Sequence, residues 1–171
     1  MAIITLNNRS INRSDTASAD QVWTATSATA SDFQAGGIIL QVVQATTVSS
    51  SSTTSSSFVA TALSVDITPT SSSNKIFVSA STPMHGNSNG WDFWATIYRD
   101  GTTNLGSSTG LATAFGNATT ANNASMIYLD SPSTTSQVTY KVYHRTNSGN
   151  GTNYTQWSGG TGVITAMEIS A

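Results

Sequence analysis

The sequence predicts an all-β chain, an antiparallel β-sandwich preceded by an extended N-terminal arm. Three observations lead there. Ser and Thr together fill about a third of the chain, and both disfavour helix interiors, Ser by competing for backbone groups and Thr by losing side-chain freedom. From Ile38 onward, short apolar runs of period two are separated by turn residues every 8 to 12 positions, the spacing of a sandwich or barrel. Residues 1–37 read differently, polar and with no sustained period.

Residues 1–37 are polar, with isolated apolar groups at Ile3, Ile4, Leu6, Ile11, Val22, Trp23 and Phe33. Asn8-Arg9-Ser10 recurs as Asn12-Arg13-Ser14, and the surrounding Asn, Ser and Thr favour extended chain over helix. Large apolar groups on otherwise polar chain suit a segment that orders against a partner. The reading is an anchoring arm that uses Arg9, Arg13, Trp23 and Phe33 and ends at Gly36-Gly37. A first strand pair of the domain and a disordered tail are the alternatives.

The sandwich is expected over 38–171 as one domain, since the remaining chain is too short for a second. Ile38 to Gln44 is a compact run suited to a buried strand, and Ser49 to Ser57 a solvated loop or plain polar strand. Phe58 to Thr68 alternates through Leu63, Val65 and Ile67 until Pro69 removes a donor. Lys75 to Ser81 is another short strand, closed by Pro83 and the loop from Gly86 to Gly90. Trp91 to Arg99 is apolar on both faces, which marks a central strand or a subunit contact; Asp100-Gly101 then supplies the chemistry of a two-residue hairpin turn. Ser125 to Leu129, Val138 to Arg145, Tyr154 to Trp157 and Val163 to Ile169 complete a set of roughly eight or nine strands, enough for two sheets.

Charged residues are 8% of the chain and the formal net charge is −2. No basic footprint for nucleic acid or anionic lipid follows. A hydrophobic fraction of 37%, with four Trp, five Tyr and five Phe, separates the chain from disordered sequences. Cysteine is absent, which excludes a disulfide framework and thiolate metal sites. The first residues lack the charged and apolar regions of a signal peptide, and no apolar run reaches the length of a membrane span.

Groups able to run chemistry are few: two histidines, one glutamate and seven aspartates. His144 shares a strand face with Val138, Tyr140 and Val142, which suits an inward or interfacial group. His85 and Asp92 have no recognised metal-ligand spacing, and Asp15, Asp20 and Asp32 suit turns or caps. No G-x-S-x-G elbow occurs. Gly159-Gly160-Thr161-Gly162 lacks the lysine and helix of a phosphate cradle. No catalytic site, metal or cofactor is expected. Sugar binding has suitable material in Trp91, Trp94, Tyr154 and Trp157 with Asn87, Asn89 and Asn153, because aromatic faces stack on glycans without charge. The alternative is that these aromatics fill the core or a subunit contact.

Several segments coincide with a known group. They are the opening from Ile3 to Arg13, Asp66-Ile67-Thr68-Pro69 followed by Ser71-Ser72-Ser73-Asn74-Lys75-Ile76, the hairpin Tyr98-Arg99-Asp100-Gly101-Thr102, and Leu129-Asp130-Ser131-Pro132 leading into Thr139-Tyr140-Lys141-Val142. Together they resemble small virion proteins of marine tailed bacteriophages, across nearly the whole chain, although each motif alone is weak. The resemblance implies a jelly-roll-like domain projecting from the virion surface, a homotrimer made in the host cytoplasm, and attachment by the arm to the major capsid or a tail protein. Head decoration or head fibre is the leading expectation, and a tail fibre recognising host surface glycans the rival.

Overall fold

A computed structural model describes residues 3–6, 9–12, 21–25, 31–35, 37–87, 91–116, 121–147 and 151–171, the first four segments as backbone alone. The chain divides into two compact units, 1–38 (joined by residue 171) and 39–170.

In the first unit, β1 (Ile3–Leu6) pairs antiparallel with β2 (Arg9–Asn12), and β3 (Gln21–Ala25) with β4 (Ser31–Ala35). Where the sequence predicts extended chain, the backbone thus folds into two hairpins. Their registers set Ile4 opposite Ile11 and Trp23 opposite Phe33. Apolar and aromatic residues at facing positions are the pairs that stabilise a two-stranded ladder, which accounts for the difference.

The second unit contains β5 (Ile39–Thr47), β6 (Ser51–Thr53), β7 (Val59–Ile67), β8 (Lys75–Gly86), β9 (Trp91–Arg99), β10 (Thr103–Asn104), β11 (Ala112–Gly116), β12 (Ala121–Asp130), β13 (Val138–Thr146), β14 (Asn153–Thr155) and β15 (Gly162–Ile169). One sheet runs β5-β15-β8, with β12 along the other edge of β8; β14 and β6 continue the sheet where β15 stops. The other runs β7-β13-β9, with β10 and β11 both on the far edge of β9. All pairings are antiparallel.

Setting aside the short β6, β10 and β14, eight strands remain. The first, last, third and sixth of them form one sheet, and the second, seventh, fourth and fifth the other. That interleaved order is two Greek keys wound together, a jelly roll.

Period-two alternation sorts the core. Ile76, Val78, Ala80 and Met84 of β8 point inward with Ile164 and Ala166 of β15 and Met126 of β12. They meet Leu63, Val65 and Ile67 of β7, Phe93, Ala95 and Ile97 of β9, and Val138, Tyr140 and Val142 of β13. The Asp100-Gly101 turn has φ of 51° and 69°, the left-handed pair that a tight hairpin demands. Asp130 closes one end of the sandwich: Arg99 Nη1 donates to both its oxygens at 2.9 and 2.8 Å, and the Tyr140 hydroxyl donates to Oδ2 at 2.7 Å.

Gly86 ends β8 against the Phe93 side chain, and a Cβ at this position would overlap the Phe93 ring. Overpacking of a closed core costs about 1–3 kcal/mol. Gly86→Ala is therefore expected to lower the denaturation midpoint by about that energy, read by urea titration; an unchanged midpoint would show that the ring has room to move.

Candidate functional site

His85 lies near the end of β8 on the outward side, and the ladder sets Tyr154 of β14 beside it. After β14 the chain turns sharply: Gln156, Ser158 and Gly159 have φ of 50°, 56° and 78°. Two non-glycine residues in this region cost energy and persist only where neighbours hold them. Gln156 is held, being fully buried with its Nε2 donating to Thr82 Oγ1 at 2.6 Å. The turn folds Trp157 back over His85, with ring centroids 4.3 Å apart and planes 20° from parallel. Tyr154 lies 4.9 Å from the same indole. Trp157 remains 39% exposed, and with Tyr154 inclined at 58° to the indole the three rings form a tilted cluster whose outer member is Trp157.

Of the four aromatics proposed for a glycan or subunit contact, Tyr154 and Trp157 come together and Trp94 lies apart from them. Tyr154 and Trp157 belong to this trio on the six-stranded sheet. Trp94 lies on the outward side of β9 in the other sheet and is buried. Arg145 covers it, with the guanidinium carbon 3.9 Å from the indole centroid and 5.0 Å from that of Phe58. The guanidinium also donates to the Ser56 and Ser108 carbonyls at 2.7 and 2.6 Å, pinning two loops across the strand. Trp94 thus serves a contact inside the chain, because a cation over an indole in a partly dehydrated site is favourable. Trp91 is on β9 by its backbone. Asn153 is fully buried and donates to the Arg145 carbonyl at 3.2 Å, whereas exposed Asn87 accepts from the Thr152 amide at 2.7 Å. Asn89 and Arg13 lie outside the described residues. Arg9 is on β2, and Trp23 and Phe33 are register partners on β3 and β4.

The ionisable groups inside the sandwich hold the fold. Glu168, fully buried, accepts from Gln41 Nε2 at 2.6 Å, the Thr70 amide at 2.6 Å, Thr70 Oγ1 at 2.8 Å and Asn74 Nδ2 at 2.7 Å. Burial raises its pKa, but these donors outweigh burial and leave the carboxyl below its ordinary range. Burial, then the Asp130 carboxylate, push the Tyr140 phenol far above its ordinary value. His144 is fully buried, as its place on the Val138, Tyr140 and Val142 face predicts, and burial lowers its pKa to about 4.

Ser51 Oγ lies 3.3 Å from His144 Nε2, so a hydroxyl and an imidazole are adjacent. A nucleophilic pair needs more: a group on the other ring nitrogen that orients the base and stabilises the imidazolium. His144 Nδ1 has no partner among the described residues, and the surroundings disfavour the charged ring. The pair is a hydrogen bond between β6 and β13. Among the described residues, no group of three or more His, Cys, Asp or Glu could hold a metal ion, and no helix is long and apolar enough to cross a membrane. His85 stacks on Trp157, while Asp92 belongs to the other sheet.

No family model matches the sequence, and no curated protein matches it. Solved structures with a similar course of chain include the infectious bursal disease virus Gx strain, 13% identical with a TM-score of 0.46, covering 86% of this chain and 43% of that one. The VP2 subviral particle of the same virus is 13% identical at a TM-score of 0.44, covering 86% and 43%. Its T=1 particles are 14% identical at 0.43, covering 86% and 40%. The chain spans less than half the length of each of these chains. At such values no activity or partner passes from those particles to this protein.

Sequence reasoning missed the His85 stack and the Arg145 clamp. A period-two reading of β8 through Pro83 would have carried His85 to the outward face; nothing local signals Arg145 crossing Trp94.

His144 and Glu168 make stability acid-sensitive in separate windows. The lowered His144 pKa means that the unfolded chain binds this proton first, so stability is full above about pH 6.5 and declines toward pH 4, by about 3 kcal/mol in all. The depressed Glu168 carboxyl contributes stability above the ordinary carboxylate range, lost as pH falls through its lower folded value. Urea titrations of His144→Gln are expected to flatten the pH dependence between 6.5 and 4.5 and keep the steeper loss below; an unchanged slope in the upper window would sink the assignment to His144.

Proposed function

We propose that this protein is a structural component of a bacteriophage virion, of the capsid decoration or head-fibre type. Its N-terminal unit attaches to the major capsid protein, and its jelly roll associates with other copies as a homotrimer on the particle surface. The phage assignment rests on the sequence resemblance. The observation that carries the structural role is the use made of the interior charges: Glu168, Asp130 and Arg99 bind loops and sheets together, and His144 is held where its cation is disfavoured. Groups so employed are not poised to transfer protons, and we read the chain as non-enzymatic. Trp23 and Phe33, facing one another across a ladder, and Arg9 with Arg13 are the residues through which the N-terminal unit would seat on the capsid.

One observation favours a second reading, a tail-fibre protein that recognises host surface glycans. The exposed face of Trp157, backed by His85 and Tyr154, is a surface on which a pyranose ring could stack.

Removal of residues 1–37 separates the readings. On the decoration reading, the truncated chain remains a folded oligomer and no longer co-sediments with purified capsids, and sustained co-sedimentation would overturn attachment by the N-terminal unit. On the receptor reading, the full chain adheres to host cells and Trp157→Ala weakens adhesion at least about tenfold; an unaltered variant counts against it.

A further inference from the structure

The outward side of the six-stranded sheet differs from the outward side of the other sheet. The ladders line up Val42 of β5, Met167 of β15, Phe77 of β8 and Leu129 of β12 in one row across the sheet. Ile127 stands in the next row on β12, opposite Ser79, and Ile39 faces Ile169 at the end of the other flank. Ile127 is 63% exposed, Ile39 58%, Val42 56% and Leu129 49%. The apolar band runs from one edge strand to the other. Isolated exposed apolar side chains are ordinary, but a contiguous band marks an interaction surface.

Charge is nearly absent from this side. Among its described residues, Lys75 stands at the margin and no carboxylate faces outward, since Glu168 and Asp130 point into the sandwich. The outward side of the opposite sheet carries Asp66, Asp92, Lys141 and Arg145. A face without charge has nothing for an oppositely charged partner to read, and two such faces do not repel. The extent is also sufficient. β5, β15, β8 and β12 have nine, eight, twelve and ten residues, so the face averages roughly 32 Å long by 19 Å across, about 610 Å², at the lower end of the ~600–1,000 Å² that each partner contributes to a stable interface.

We propose that this face docks on another copy of this chain and is the contact through which the jelly roll self-associates. The inference rests on the self-association in the function proposed above and assigns it a surface. Around a three-fold axis the band of each copy meets the bands of its two neighbours, with Ile127, Leu129 and Val42 in the dehydrated centre.

The test uses the full 171-residue chain in analytical ultracentrifugation. The native chain is expected to sediment as an oligomer. Ile127→Asp with Leu129→Asp alters only exposed side chains, and is expected to raise the dissociation constant at least about 100-fold and give the single-chain mass. Ala62→Asp, a matched change at an exposed position on β7, should leave the mass unchanged. An oligomeric native chain whose Ile127→Asp/Leu129→Asp form stays oligomeric overturns the assigned face and leaves self-association standing. A monomeric native chain overturns both, and loss of capsid binding by that monomer's double variant would mean that a different virion protein occupies the face. Should the double variant misfold, Ser125→Cys decides. The chain has no other cysteine, and this exposed position on the same face should be alkylated at least about tenfold more slowly in the oligomer than after dilution. Equal rates count against the proposal.

Discussion

The twelve-residue strand β8 is the constraint on which the rest of the domain depends. It pairs with β15 along half of one edge, with β14 along the remainder, and with β12 along the other edge. Because strand side chains alternate with a period of two, its register decides at once which residues of three neighbours face the core. A slip by one residue would turn Ile76, Val78 and Met84 to solvent and bring Lys75, Phe77 and His85 inside. The same alternation that buries the core leaves Phe77 in the apolar row and His85 beneath Trp157, so core and surface features follow from one ladder.

The chain builds this sandwich with little charge, and hydroxyls fill the places that ion pairs occupy elsewhere. Thr61 donates to the Val142 carbonyl at 2.8 Å, Thr82 accepts from Gln156 at 2.6 Å, and Thr146 reaches the Thr54 and Ser55 carbonyls. A buried hydroxyl costs far less to dehydrate than a buried ion, yet still satisfies a neighbouring polar group. The two exceptions, Glu168 and Asp130, are each surrounded by donors. Such networks favour one arrangement of loops over others, as expected where every member but a few atoms is paired.

Much of this architecture is legible in the residues. The alternation through Leu63, Val65 and Ile67, the Asp100-Gly101 turn and the inward place of His144 all follow from local pattern and are found. Trp94 was legible only as one residue of a strand with two apolar faces. That β9 lies inside its sheet fits the pattern, but the cover on its outer face comes from Arg145, some fifty positions away, and from loops that the strand pattern does not place. β11 escaped because Ala112, Thr113 and Ala114 carry almost no periodic signal; they pair because β9 offers an unfilled edge. The hairpins of the N-terminal unit were hidden for a related reason, since facing positions such as Trp23 and Phe33 are visible as a pair only once the turn between them is known. The aromatic trio needed the left-handed turn at Gln156, which a sequence rich in Ser and Gly does not single out.

The strand order also governs when this protein can acquire its form during synthesis. β15 sits between β5 and β8, so the strand that leaves the ribosome last among the fifteen is inserted between two of the earlier ones. Until it arrives, β5 has no ladder and β8 has half of one edge open, and the nascent chain must remain expanded or pair wrongly with itself. Closure of this domain therefore waits for β15, and pairing over so long a sequence separation is slow. The scarcity of Lys on the waiting edges makes the interval one in which neighbouring nascent chains can meet.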